Sequence, residues 1–129
     1  MTSKYAFGRT IEAGFEQAID RVTQALAKEG FGVLSDIDVS ATLKKKLGLD
    51  LPSYRILGAC NPQFAQRALE AEPEIGTLLP CNVVVRKEGT QARVDVMDPL
   101  AVMQLVGKPE VAKIATEVRA KLERALAAV

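Results

Sequence analysis

The sequence predicts an α+β fold, with an antiparallel sheet and two long helices packed on one of its faces. Three observations predict it. "CNVVVRK" and "ARVDVMD" flank "EGT", so residues 81–97 read as an antiparallel hairpin. Two long segments, one near each end of the chain, carry apolar residues at helical spacing with charges on the other side. The order along the chain is strand, helix, four strands with short helices inserted, then helix, which suits a segregated α+β arrangement.

Each element has a local reason. "KYAFGR" (4–9) alternates, with Tyr5 and Phe7 on one face, and reads as a short strand. In "IEAGFEQAIDRVTQALAKEGF", Phe15, Ile19, Val22 and Leu26 recur at helical spacing, with Ala18 and Ala25 in the same stripe. Gly30 ends that helix because glycine enters the left-handed region cheaply. "FGVLSDIDV" (31–39) is strand-like, with Phe31, Val33, Ile37 and Val39 on one face and Asp36 and Asp38 on the other. Ser40 is the expected cap of a short helix, "ATLKKKL", closed by Gly48.

"YRILGAC" (54–60) is the third strand. Asn61 follows as an N-cap and Pro62 as the first helical residue, where its missing N–H and fixed φ cost nothing. "PQFAQRALEA" is a short amphipathic helix, and the prolines and glycine of "EPEIGTLLP" predict a loop. After the hairpin, Asp98-Pro99 repeats the cap-plus-proline device. The last helix follows Gly107 and Pro109, with a stripe of Val111, Ile114, Val118, Leu122, Leu126 and Val129. The sheet face away from the helices is expected to carry Asp36, Asp38, Arg55, Asn82, Arg86, Arg93 and Asp95.

With 129 residues, one domain over 1–129 is expected. Apolar residues are 48% and charged residues 26% of the chain, and 17 basic residues face 16 acidic ones. That balance creates no field for nucleic acid or an anionic membrane. "KKK" (44–46) is the one basic run, and with aromatics at 5% no stacking platform accompanies it. No phosphate loop, apolar span of membrane length or signal peptide is present, so a cytoplasmic address is expected. The chain has no histidine, which excludes Ser-His-Asp and Cys-His mechanisms and any His-containing zinc site.

The chemistry that remains sits at two cysteines. Strand alternation groups Cys60 with Tyr54, Ile56 and Gly58, and Cys81 with Val83 and Val85, so both thiols are expected to face the core. A buried thiol of this kind is a small hydrophobe with a raised pKa. The other reading is a redox or soft-metal site. Cys60 precedes a helix N-terminus, and a Cu(I) ion bound by two thiolates could take Met97 or Met103 as a third ligand. Asn61 and Asn82 follow the cysteines and could line a polar pocket with them. Asp36 and Asp38, two apart on a strand, could hold a hard cation, though a solvated strand face accounts for them as well.

At "YRILGACNPQFAQRAL" and "EPEIGTLLPCNVVVRKEG" the chain resembles the domain-of-unknown-function family numbered 302. The resemblance extends to "ALAKEGFGVLSDIDV" and "DVMDP", about residues 5–105. It implies a curved antiparallel sheet with helices against it, similar to the TATA-binding-protein arrangement. It implies no DNA binding, since function lives in sites rather than folds, and no catalytic role, since the family has no established activity. The motif residues fall on Asp38, Cys60, Asn61, Pro62, Pro80, Cys81, Asn82 and Asp98-Pro99.

The expectation is a small binding or interaction domain rather than an enzyme, without cofactor. A second copy of the chain, an unidentified small ligand or a protein is its partner. The ligand-binding candidates are Cys60, Asn61, Pro80, Cys81, Asn82 and Asp38, and the alternative is a thiol redox or Cu(I) site at Cys60 and Cys81.

Overall fold

The alternating and helical segments assemble around one sheet. A computed structural model describes residues 3–129. The elements are β1 (Ala6–Ile11), α1 (Phe15–Lys28), β2 (Gly32–Asp38), α2 (Val39–Leu47), β3 (Tyr54–Cys60), α3 (Pro62–Ala71), a 3₁₀ helix (Pro73–Leu78), β4 (Cys81–Glu88), β5 (Gln91–Met97), α4 (Pro99–Met103) and α5 (Pro109–Ala127). The sheet order is β1-β5-β4-β3-β2, and every neighbouring pair is antiparallel. The fold is therefore α+β, as the sequence predicts. No helix among the described residues is long and apolar enough to cross a membrane.

Helical periodicity places α1 and α5 on the same sheet face. α1 buries Ala18, Ile19, Val22, Ala25 and Leu26; α5 buries Val111, Ile114, Ala115, Val118, Leu122 and Ala125. Across from them lie Leu57, Val83, Val85, Val94 and Val96, all within the core. Each such side chain contributes roughly 1.5–3 kcal/mol on burial, which is why the stripe outweighs the modest helix propensity of valine and isoleucine. Arg9, on β1, donates to the carbonyls of Leu126 and Ala127 at 3.3 and 3.2 Å. The guanidinium thereby satisfies acceptors that the end of α5 leaves open. The α5 stripe packs within the chain, with Leu126 and Val129 partly buried at its end.

Five expectations are corrected in detail. Ile11 ends β1 rather than starting α1, and the segment expected as a loop contains the 3₁₀ helix. The cap of α2 is Asp38, whose Oδ1 accepts from the Ala41 N–H at 2.9 Å, rather than Ser40. On β2, the register slips between Val33 and Ser35, leaving Leu34 as the extra residue of a bulge. Val33 then lies opposite Ala59, on the helix-covered face, while Ile37 lies opposite Ile56 on the open face.

The fifth correction concerns the charges. Asp36 and Asp38 lie opposite Leu57 and Arg55, so all three charged residues sit at the margin of the helix-covered face. Arg55 grips Asp36 through Nε and Nη2 at 2.7 and 2.6 Å, and reaches Glu16 of α1 at 3.8 Å. Asn82, Arg86, Arg93 and Asp95 do take the open face, where Asp95 meets Arg93 at 3.0 Å and Arg86 at 3.6 Å.

Candidate functional site: an apolar cavity at one end of the sheet

β3 ends and β4 begins at the same end of the sheet, with Ala59 directly opposite Cys81. The chain between them, residues 61–80, must close over that end. It does so as α3 and the 3₁₀ helix, started by Pro62 and by Pro73 at first helical positions. Two contacts anchor the closure. The Asn61 side chain is almost buried and donates from Nδ2 to the Glu29 carbonyl at 3.2 Å, tying the start of α3 to the end of α1. Gly30, beside it, has φ +87°, and a Cβ there would lie 3.0 Å from Asn61 Nδ2, so glycine serves both the turn and the contact. At the other end, the Leu79–Pro80 peptide is cis. A Cβ on Gly58 would stand 2.8 Å from Pro80 Cγ, so the bare backbone of β3 leaves room for the proline ring.

Beneath this roof is a cavity of about 290 Å³. Ala59 and Cys81 line it from the sheet, and Phe64, Ala65, Ala68 and Leu69 from α3. Ile75 of the 3₁₀ helix and Met103 of α4 close one side, and Ile114, Ala115 and Val118 of α5 another. None of the lining residues is charged. The space exists because several side chains that meet there are small: four of those just named are alanines and one is cysteine. An apolar cavity of about 150 Å³ is large enough to hold benzene, so this one admits a guest about twice that size.

Both cysteines line the cavity, but they differ. Cys81 is 7% exposed. Burial, with the Cys60 thiol nearby, pushes its pKa up to about 11. At neutral pH it is a thiol, not a thiolate, and so a poor nucleophile. Cys60 is the last residue of β3 and only half-buried. Its strand parity is that of Ile56 and Gly58, on the open face, so it reaches the cavity from the rim rather than from the core. The expectation that both thiols face the core holds for Cys81 and fails for Cys60.

The remaining candidates divide. Asn61 and Pro80 line the cavity with the two cysteines. Asn82 is exposed on the open face, in a groove with Tyr5, Tyr54, Arg86 and Asp95. Asp38 lies at the opposite end of β2 from the cavity and caps α2. Met103 is in the cavity wall, whereas Met97 belongs to the open-face groove. Among the described residues there is no group of three or more His, Cys, Asp or Glu able to hold a metal ion. Asp36, already gripped by Arg55, has its carboxyl held below the usual range by that hydrogen bond. The residues missed at the sequence level are Phe64, Leu69 and Ile75. For Phe64 and Leu69 the signal was the apolar face they share with Ala65 and Ala68 on α3, which helix periodicity treats as ordinary core, and Ile75, in the segment expected as a loop, had none.

No curated protein matches the chain. Among solved structures it is similar to an uncharacterized conserved protein, DUF302, from Bacillus stearothermophilus. The two share 30% sequence identity with a TM-score of 0.89, over 97% of this chain and 98% of that one. The family model described as domain of unknown function DUF302 matches residues 7–129. The strand order and the roofed cavity with Cys60, Asn61 and Cys81 in its wall thus belong to a member of the DUF302 family.

Proposed function

We propose that this chain is a small-molecule-binding domain without chemistry of its own, and that the roofed cavity is its site. The supporting observation is the cavity itself: about 290 Å³ of carbon-lined space with a rim open to solvent, against about 10 Å³ where α1 and α5 cross β4 and β5. Water in so apolar a hollow finds few hydrogen-bond partners, whereas an apolar guest gains dispersion contacts with the whole lining. A ligand at 100 times its Kd stabilises the folded chain by about 2.7 kcal/mol, which a thermal-shift screen of fragments detects. The expected result is a set of fragments that raise Tm in the wild type and not in Ala115→Phe, which fills the cavity. A screen with no Ala115-dependent shift removes the reading.

A second reading is favoured by one observation: three sulfur-bearing side chains, Cys60, Cys81 and Met103, line the same cavity. Soft ligands of this kind select Cu(I), which would have to displace the Cys81 proton, so uptake should strengthen as pH rises. Anaerobic Cu(I) competition against a chromophoric chelator, with Cys60→Ser and Cys81→Ser as controls, tests it. The same thiols could instead form a redox pair, and reversible loss of both free thiols under mild oxidation is its signature.

What supports a second copy as partner is the β2 edge. The strand is paired on one side only, and Leu34 and Ile37 on it are exposed. Light scattering that returns 13.9 kDa at every concentration would remove that partner.

A further inference from the structure

Resting on the cavity being a binding site, we infer that its ligand is a compact, uncharged, hydrocarbon-rich molecule or group of about ten non-hydrogen atoms. Acids and phosphate esters are excluded from it.

The cavity wall fixes the charge. No lysine, arginine, aspartate or glutamate lines it. A carboxylate or phosphate carried inside would lose its hydration without gaining a partner, an uncompensated cost large enough to abolish binding. Two cations beside Phe64 stand outside the wall. Arg67 and Lys121 lie 5.3 and 5.9 Å from the centre of the Phe64 ring, and Arg67 is further engaged by Glu117 at 3.2 Å. Phe64 lines the cavity, while its ring is the surface that these cations use.

The polar inventory points the same way. Asn61 is the one carboxamide in the wall, and its Nδ2 is committed to the Glu29 carbonyl. Among the described residues, no buried side-chain nitrogen or oxygen lacks a hydrogen-bond partner. Beyond the two weakly polar thiols, the only side-chain polar atom in the wall outside the Asn61–Glu29 bond is the Asn61 Oδ1, an acceptor that a neutral hydroxyl can meet and a carboxylate or phosphate cannot. Recognition therefore rests on shape and apolar contact.

The rim is apolar as well. Leu34, the bulged residue of β2, is 72% exposed and Leu69 of α3 is 42% exposed, and both line the cavity. A bulge re-aims a side chain, and here it brings an exposed leucine to the cavity's edge. Cys60, half-buried at the same rim, makes a reporter of occupancy.

The test uses the full chain and two probes built on one ring system, neutral 1-naphthol and anionic 1-naphthoate at pH 7. Binding is titrated calorimetrically with wild type and Ala115→Phe, and with Ala65→Phe in case the first variant fails to fold. Iodoacetamide labelling of Cys60 is followed in parallel. The expected result is 1-naphthol binding at least tenfold tighter than 1-naphthoate, at least tenfold weaker in the filled variant, and slowing Cys60 alkylation severalfold at saturation. If 1-naphthoate binds as tightly as 1-naphthol in a manner the filled variant abolishes, the cavity remains a site and the inferred ligand class is wrong. If neither probe shows binding that the filled variants weaken, the binding reading fails and takes this inference with it.

Discussion

Two regions of one apolar layer are packed differently. Where α1 and the C-terminal half of α5 cross β4 and β5, the space between Val22, Leu26, Val83, Val94 and Leu122 amounts to about 10 Å³. Where α3 and the N-terminal half of α5 cover the ends of β3 and β4, about 290 Å³ is left. Both regions are walled by carbon, and α5 serves both. The difference lies in side-chain size: valines and leucines interdigitate in the first, while Ala59, Ala65, Ala68 and Ala115 fall short of one another in the second. The cavity is thus a local property of a few small residues and not a sign of a loosely built core.

That comparison is open to direct attack. The largest effect belongs to Leu122→Ala. Leu122 is fully buried in the filled region, so truncation should cost about 3 kcal/mol in urea unfolding. Next come two identical substitutions on one helix. Ala125→Leu, in the filled region, should cost about 1–3 kcal/mol by overpacking. Ala115→Leu, in the cavity wall, should cost less than about 1 kcal/mol, because the added carbons have somewhere to go. Equal costs for the pair would erase the distinction between the regions.

The smallest effect lies at the margin of the sheet. Asp36→Asn breaks the two-point contact with Arg55 and should cost no more than about 1 kcal/mol, since the carboxylate is partly exposed. Its pH signature has a definite sign. The folded carboxyl titrates below its unfolded value of 3.8. The pair's contribution is therefore complete above that value and fades as the solution is acidified through the folded pKa. Wild type and Asp36→Asn should converge in stability at acid pH; a gap that persists there would assign the effect to packing.

Much of the architecture was legible in the sequence because it rests on periodicity. The α1 and α5 stripes and the β4–β5 hairpin repeat over enough residues for the pattern to be unambiguous. The faces of β2 and β3 were not legible. One extra residue, Leu34, reverses the parity of everything after it on β2, and nothing in "GVLSDID" marks where the slip falls. On β3, Leu57 and Ala59 turned out to face the helices and Ile56 the open side; both alternating sets are apolar, so alternation alone could not choose. The site was half legible. Cys60, Asn61, Pro80 and Cys81 lie at consecutive strand ends, which sequence order exposes, but the cavity between them depends on how far apart α3 and α5 stand. That distance is a tertiary quantity with no one-dimensional trace.

The roof and the walls of the cavity are held with unequal strength. α3 buries one of its own side chains, Ala68, while α5 buries six. Local opening tracks the number of buried apolar contacts that must be given up. Backbone amides of α3 should therefore exchange with deuterium well before those of α5, through excursions that leave the sheet intact. If the proposed site is occupied, its guest need not wait for the whole chain to unfold in order to enter or leave, and its residence time should follow the opening of segment 61–80 rather than global stability.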